Sequence, residues 1–149
     1  GRPKVANFTP ENGSFIIGKA VELQEGTDVT IIATGHLVWE ALEACKTLQE
    51  KGISAGVINI HTIKPLDAAA ILKSVAITGC VVTAEEHNYL GGLGESVSRI
   101  LAENHPAPQE FVATRDTFGE SGTPDQLMEK YGLNAAAIVK AATKVVARK

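Results

Sequence analysis

Gly79-Cys80-Val81-Val82-Thr83-Ala84-Glu85-Glu86-His87-Asn88-Tyr89-Leu90-Gly91-Gly92-Leu93-Gly94-Glu95-Ser96-Val97-Ser98-Arg99-Ile100-Leu101 is the stretch on which the reading of the fold turns. Its apolar, β-branched start through Ala84 reads as a buried strand. The middle, from Glu85 to Gly94, reads as a polar loop with glycine joints. The end returns to helical spacing from Ser96 onward. In an open parallel sheet, loops at the carboxyl ends of strands are where sites form. Glu85, Glu86, His87, Asn88, Gly91, Gly92 and Gly94 are therefore the first candidates for a crevice or an interface.

The same alternation runs outward in both directions. Upstream, Phe15-Ile16-Ile17 and Ala20 to Leu23 read as short strand-like pieces, and Val29 to Ala33 as a buried strand. Thr34-Gly35-His36 breaks that strand. Leu37 to Lys51 then spaces Val38, Ala41, Leu42, Cys45 and Leu48 on one helical face, with Gly52 as its C-cap. Ser54 to Ile60 is a further strand. Thr62 to Asp67 turns into a helix with Ala69, Leu72, Val75 and Ala76 as its stripe. Downstream, Pro106 and Pro108 stop the helix that ends near Glu103. Glu110 to Thr114 is a strand and Asp116 to Pro124 a polar loop. Ser121 to Pro124 opens a short helix through Tyr131, and Asn134 caps a last helix over Ala135 to Val146. Strands alternating with helices predict an α/β fold with a mostly parallel sheet.

The bulk properties agree with a single domain. The chain has 149 residues, 44% apolar and 21% charged, enough to bury one core. Residues 1–13 carry prolines and an Asn-Gly pair and read as a linker or tail; the domain proper is expected over 14–149. A net charge of −3 argues against a nucleic-acid partner, which requires clustered Lys and Arg. No apolar run approaches the roughly 20 residues of a membrane span. Cys45 and Cys80 form no CxxC and read as buried structural thiols, which suits a reducing, cytoplasmic setting.

Each chemical constellation has a bland counterpart. Gly92-Leu93-Gly94 lacks the third glycine of a dinucleotide fingerprint, because Val97 stands at that position. Glu85, Glu86 and Glu95 around the glycines would repel a phosphate. The glycines serve equally to let a helix pack closely on the sheet. His36, His61, His87 and His105 have no HxxxH or HExxH spacing, so no metal site is readable. His87 beside Glu86 offers acid/base chemistry or plain hydrogen bonding. Ser121 lies outside a G-x-S-x-G pattern and reads as a cap or turn residue. Phe118 either folds back on its own domain or anchors a neighbour; its setting between polar residues and Gly119 favours the anchor.

Five segments in order resemble one family, the C-terminal domain of transketolase, in its animal-type or split-subunit form. They are Gly18-Lys19-Ala20; Val29 to Gly35; Thr62-Ile63-Lys64-Pro65-Leu66-Asp67; Glu85-x-His87-x-Tyr89-x-Gly91-Gly92-x-Gly94-Glu95-Ser96-Val97-Ser98; and Phe118-Gly119-x-Ser121-Gly122-x-Pro124 with Leu127 and Tyr131-Gly132-Leu133. The resemblance spans about Phe15 to Val146.

It implies a three-layer α/β/α sandwich with a five-stranded mixed sheet of order 1-3-2-4-5, the first strand antiparallel. The switch-point crevice would then lie between Thr34-Gly35-His36 and Glu85 to Gly94. The family's enzymes transfer two-carbon ketol units between sugar phosphates with thiamine diphosphate and Mg²⁺. Those groups belong to diphosphate- and pyrimidine-binding domains whose motifs this chain lacks. Gly1-Arg2-Pro3-Lys4 resembles the tail of the pyrimidine-binding domain. By that resemblance the chain binds no cofactor or metal alone and carries no catalytic residue. Its expected partners are those other domains, in a homodimer of the complete enzyme. His36, Glu85, Glu86, His87, Asn88, Gly91, Gly92, Gly94 and Phe118 are expected at the crevice or at interfaces. The corresponding domains of 2-oxoacid dehydrogenase β subunits and deoxyxylulose-phosphate synthase share the Thr62 to Asp67 pattern loosely. A free-standing nucleotide- or protein-binding module is the alternative of another class.

Overall fold

Four parallel strands and one antiparallel strand form a single sheet in the computed structural model, which describes Asn7, Thr9, Gly13 and residues 15–149. The readings made on Gly1 to Lys4 and most of the 1–13 tail lie outside the described residues. The strands are β1 (Val21–Gln24), β2 (Val29–Ala33), β3 (Ala55–Asn59), β4 (Val81–Asn88) and β5 (Gln109–Thr114). The helices are α1 (Leu37–Glu50), α2 (Ala68–Thr78), α3 (Leu93–Asn104), α4 (Pro124–Lys130) and α5 (Ala135–Val146). The sheet order is β1-β3-β2-β4-β5, and β1 runs antiparallel to β3. This is the expected three-layer arrangement.

The two layers of helices follow from strand alternation. Val82 and Ala84 face one side, where α1 and α5 close over Val29, Ile31 and Val57. Val81 faces the other side, where α2 and α3 cover Ile32, Ile58 and Ile60. The strands are buried on both faces, which is why they read as continuous apolar runs. Hydroxyls tie the second layer down: Thr30 Oγ1 lies 2.7 Å from both Ser74 Oγ and Thr78 Oγ1 on α2. At the free edge of β5, the outward carbonyls of Gln109 and Phe111 accept from Arg148 and Arg115. Two cations on an edge strand discourage pairing with another sheet.

Three readings need correction. Phe15-Ile16-Ile17 is no strand; it forms a turn, with the Lys19 amide donating to Ile16 O, and its side chains are exposed. The apolar run there is real, but among the described residues no strand pairs with it. The stripe of α2 is Ile71, Val75 and Thr78, whereas Ala69 and Ala76 are exposed. Alanines carry too little apolar surface to fix a helix's rotation, so Ile71 decided it. Finally, β4 does not stop at Ala84. It continues through Glu85, Glu86 and His87 to Asn88, which pairs with Thr114 after an irregularity in register. The β4–β5 ladder supplies hydrogen bonds that the polar side chains conceal in the sequence.

Both thiols are free and buried. Burial pushes Cys45 up to about 11, and Cys80 is also raised, chiefly by burial. Among the described residues, no helix is long and apolar enough to cross a membrane.

Candidate functional site

The carboxyl end of the sheet gathers every candidate residue. Its centre is Glu85, which is 1% exposed. Two residues beyond Thr83 on the same face of β4, it points toward α3. Its Oε2 accepts from the Leu93 amide at 2.7 Å and its Oε1 from the Gly94 amide at 2.8 Å. Glu85 thus caps α3 from a neighbouring strand, where the N-cap residue, Gly92, has no side chain to do so. A carboxylate at a helix amino terminus is also favoured by the helix dipole. The sequence reading placed Glu85 toward a partner; its side chain instead faces its own domain, because two helix-end amides had no other acceptor.

The glycines take their meaning from this contact. A Cβ on Gly92 would lie 2.2 Å from Glu85 Oε2, and one on Gly94 would lie 2.5 Å from Phe111 Cδ1. Both positions are close approaches. Gly91 instead has φ of +76°. Its amide donates to Glu95 Oε2 at 2.7 Å, so a second carboxylate ties the turn to the first helical turn. Behind them, Gln109 donates to Thr83 Oγ1 and Gly94 O, and Ser98 donates to Gln109. Gln109 was not singled out from sequence; nothing local marks a strand glutamine as the hub of a network.

The other candidates spread across the surface of this end. His36 precedes α1, and its Nδ1 lies 3.9 Å from Glu86 Oε2, bridging the ends of β2 and β4. That contact joins the two sides of the expected switch point. His87 is exposed and its Nδ1 donates to Asn88 O at 2.8 Å. Asn88 donates to Asp116 Oδ1 at 2.9 Å and accepts from the Leu90 amide. The loop after β5 is thereby pinned to the loop after β4. Tyr131 braces it further: its hydroxyl donates to Phe118 O and accepts from the Glu120 amide, beside a Lys130–Glu120 ion pair. Phe118 itself is 98% exposed, which rules out its packing in the local core. Next to it, Pro124, Leu127, Met128, Tyr131 and Leu133 line a hollow of about 300 Å³. The cap of α4 is Thr123, in a capping box with Gln126; Ser121 plays no part in it.

Asp67 is a residue whose role the sequence left unstated. It caps α2 through the Ala70 amide at 3.2 Å and accepts from the Ala20 amide at 3.1 Å, joining β1 to α2. Burial works to raise its pKa, but these amides and Lys19 outweigh it and hold it below the ordinary value.

At the amino terminus of α3, Glu85 already holds the amides that an anion would take and Glu95 holds that of Gly91, so this position does not suit the diphosphate of thiamine diphosphate. Among the described residues, no group of three His, Cys, Asp or Glu side chains is placed to hold a metal ion.

Residues 18–138 match the family described as "Transketolase, C-terminal domain". The chain is 51% identical over 148 residues to the 6-deoxy-6-sulfo-D-fructose transketolase subunit SqwH of Clostridium sp. (strain MSTE9), covering 99% of this chain and 46% of that protein. It is 43% identical over 135 residues to 1-deoxy-D-xylulose-5-phosphate synthase 1 of Geobacter sulfurreducens, covering 89% of this chain and 21% of that one. Among solved structures, it superposes on a split-gene transketolase, an inactive beta4 tetramer, with a TM-score of 0.95 and 44% identity, covering 99% of this chain and 48% of that chain. The chain thus spans about half the length of the transketolase subunits that it matches, and it belongs to the transketolase C-terminal domain family.

Proposed function

We propose that this chain is the assembly domain of a transketolase, the part that holds the enzyme together while other domains perform the chemistry. The complete enzyme transfers two-carbon ketol units between sugar phosphates with thiamine diphosphate and Mg²⁺. The diphosphate- and pyrimidine-binding domains are its partners, in a cytoplasmic, dimeric enzyme. The observation that carries this reading is Glu85 on the Leu93 and Gly94 amides. In doubly wound folds, a helix amino terminus of this kind receives a phosphate. Here the domain's own carboxylate fills the position, and the fold's usual anion site serves its stability.

A second consideration supports the same reading. Relatives of this domain are parts of proteins named as transketolase subunits and as deoxyxylulose-phosphate synthases. A domain retained across different named activities contributes something common to them, and assembly is common where substrate is not. Titration calorimetry of the chain with thiamine diphosphate and Mg²⁺ tests the reading. No binding is expected; a micromolar dissociation constant, about −8 kcal/mol, would overturn it. Ketol transfer is expected only when the remaining domains are supplied.

A further inference from the structure

α2 carries two stripes. Ile71, Val75 and Thr78 are buried against the sheet, whereas Ala70, Lys73, Ser74 and Ile77 share the face that looks toward β1. Their spacing of i, i+3, i+4 and i+7 is that of one helical face. β1 is the edge strand on that side of the sheet. Between it and α2 the helix layer leaves a cleft of about 410 Å³. Ile58, 3% exposed, lies at its base with Ala20 and Ala70, and Ile77 stands at its margin, 62% exposed. Ala70 and Ser74 are small, which is why the cleft is open. Three charged side chains line it: Glu22 and Glu25 from the β1 wall, and Lys73 from α2. All three are exposed, and among the described residues none of them enters an ion pair or a side-chain hydrogen bond. The cleft thus has an acidic wall, a basic wall and an apolar base, and no ion pair closes it.

We propose that this cleft binds a free amino acid with an apolar side chain: its carboxylate on Lys73, its ammonium on Glu22 and Glu25, and its side chain over Ile58, Ala70 and Ile77. A concave site with an apolar lining and a few orienting polar groups is the usual form of a small-molecule site, and the volume lies in the usual range. The charges choose the ligand. An anion on Lys73 would face the two carboxylates of the other wall, and a simple cation on those carboxylates would face Lys73. A zwitterion satisfies both walls at once, and only an apolar side chain suits the base. Both walls are held in place before any ligand arrives, which lowers the entropy cost of binding. On the β1 side, Gln24 donates to Ala55 O, the Thr27 amide donates to Ser54 Oγ, and the Ser54 amide donates to Asp28 Oδ2. Gly26 fits there because a Cβ would lie 2.0 Å from Gly56 N. On the other side, Ser74 Oγ lies 2.7 Å from Thr30 Oγ1, which fixes α2 to β2. The cleft lies between β1 and α2, away from the ends of β2 and β4, so the proposal goes beyond the assembly reading and does not depend on it.

Titration followed by amide chemical shifts tests the proposal, with L-phenylalanine, phenethylamine and 3-phenylpropanoate as probes. The last two keep the ring and lack the carboxylate or the ammonium. L-phenylalanine should shift the amides of residues 22–27 and 70–77 saturably, with half-saturation at about 1 mM or below. Each truncated probe should bind at least about tenfold more weakly. Lys73→Gln should weaken L-phenylalanine and leave phenethylamine unchanged. Glu22→Gln combined with Glu25→Gln should weaken L-phenylalanine and leave 3-phenylpropanoate unchanged. These side chains are exposed, so the variants keep the fold, and Lys46→Gln on α1 should change nothing. Absence of saturable shifts with L-phenylalanine overturns the proposal. So does either truncated probe binding as tightly as the amino acid, or full affinity in the Lys73→Gln variant. Shifts at the same amides on raising the protein concentration alone overturn it too, because the occupant would then be a side chain of a second copy.

Discussion

Two neighbouring stretches at the carboxyl end of the sheet have similar compositions and opposite fates. The stretch from Glu85 near the end of β4 into the first turn of α3, and the connection from β5 to α4, each combine carboxylates, glycines and large apolar residues. In the first, Glu85 turns inward onto α3, and Gly92 and Gly94 are glycine because Glu85 and Phe111 occupy the space a side chain would need. In the second, Phe118 turns outward, and a Cβ on Gly119 would meet nothing within 4 Å. The difference lies in what each loop leads into. α3 packs on the sheet and its first amides are buried, so they demand an acceptor. α4 is short, has no buried residues and satisfies itself with its own capping box. Gly92 and Gly94 are a packing requirement, whereas Gly119 beside Phe118 stands in open space.

The comparison breaks most directly at Gly92. Gly92→Ala should destabilise the chain by about 3 kcal/mol or more, since the new methyl overlaps the buried Glu85 carboxylate. Glu85→Ala should cost about 2–4 kcal/mol by leaving two buried amides without an acceptor. Urea midpoints for both variants check this. A Gly92→Ala variant as stable as the parent would mean that Glu85 has an equally good alternative position, and the inward loop would lose its distinction.

A smaller effect is expected at Asp67, which sits at the same end but joins β1 to α2. Asp67→Ala should cost about 1–2 kcal/mol through its helix cap, visible as a lower melting temperature with the sheet intact.

Acid titration sharpens the contrast between anchored and free carboxylates. Burial acts to raise the pKa of Glu110, but Lys144 and Arg148 outweigh it, so Glu110 and Asp67 both lie below their ordinary values of 4.5 and 3.8. Their folded pKa values are depressed, so their contribution is full above the ordinary values and is lost as pH falls through the folded ones. Stability should therefore be flat above about pH 5 and decline below it. Asp67→Ala should make that decline shallower, and an unchanged slope would remove Asp67 from the account.

Phe118→Ala is the smallest expected change. In the chain alone it should shift stability by no more than about 0.5 kcal/mol, because the ring touches so little. A large loss would show that Phe118 packs at home, and the two loops would no longer differ in kind.

The strands, the helices and their alternation were legible in the sequence because buried parallel strands are continuous apolar runs and helices repeat their apolar residues at a fixed spacing. Those patterns are local, and α5 was delimited over Ala135 to Val146 from its Asn cap and its stripe alone. The motif order pointed to the family, and with it to the sheet order that the structure bears out. What the sequence could not state was which way a polar side chain turns. Glu85 and Glu86 are adjacent and chemically identical, yet one is buried on α3 and the other reaches toward His36. Their alternation follows from β4 continuing past Ala84, which depends on a ladder with Thr114, distant in sequence. The same holds for Asp67 reaching Ala20 and for Gln109 linking Thr83 to Gly94. Hydrogen bonds across the fold are settled by three-dimensional proximity, and no local period in a sequence encodes it.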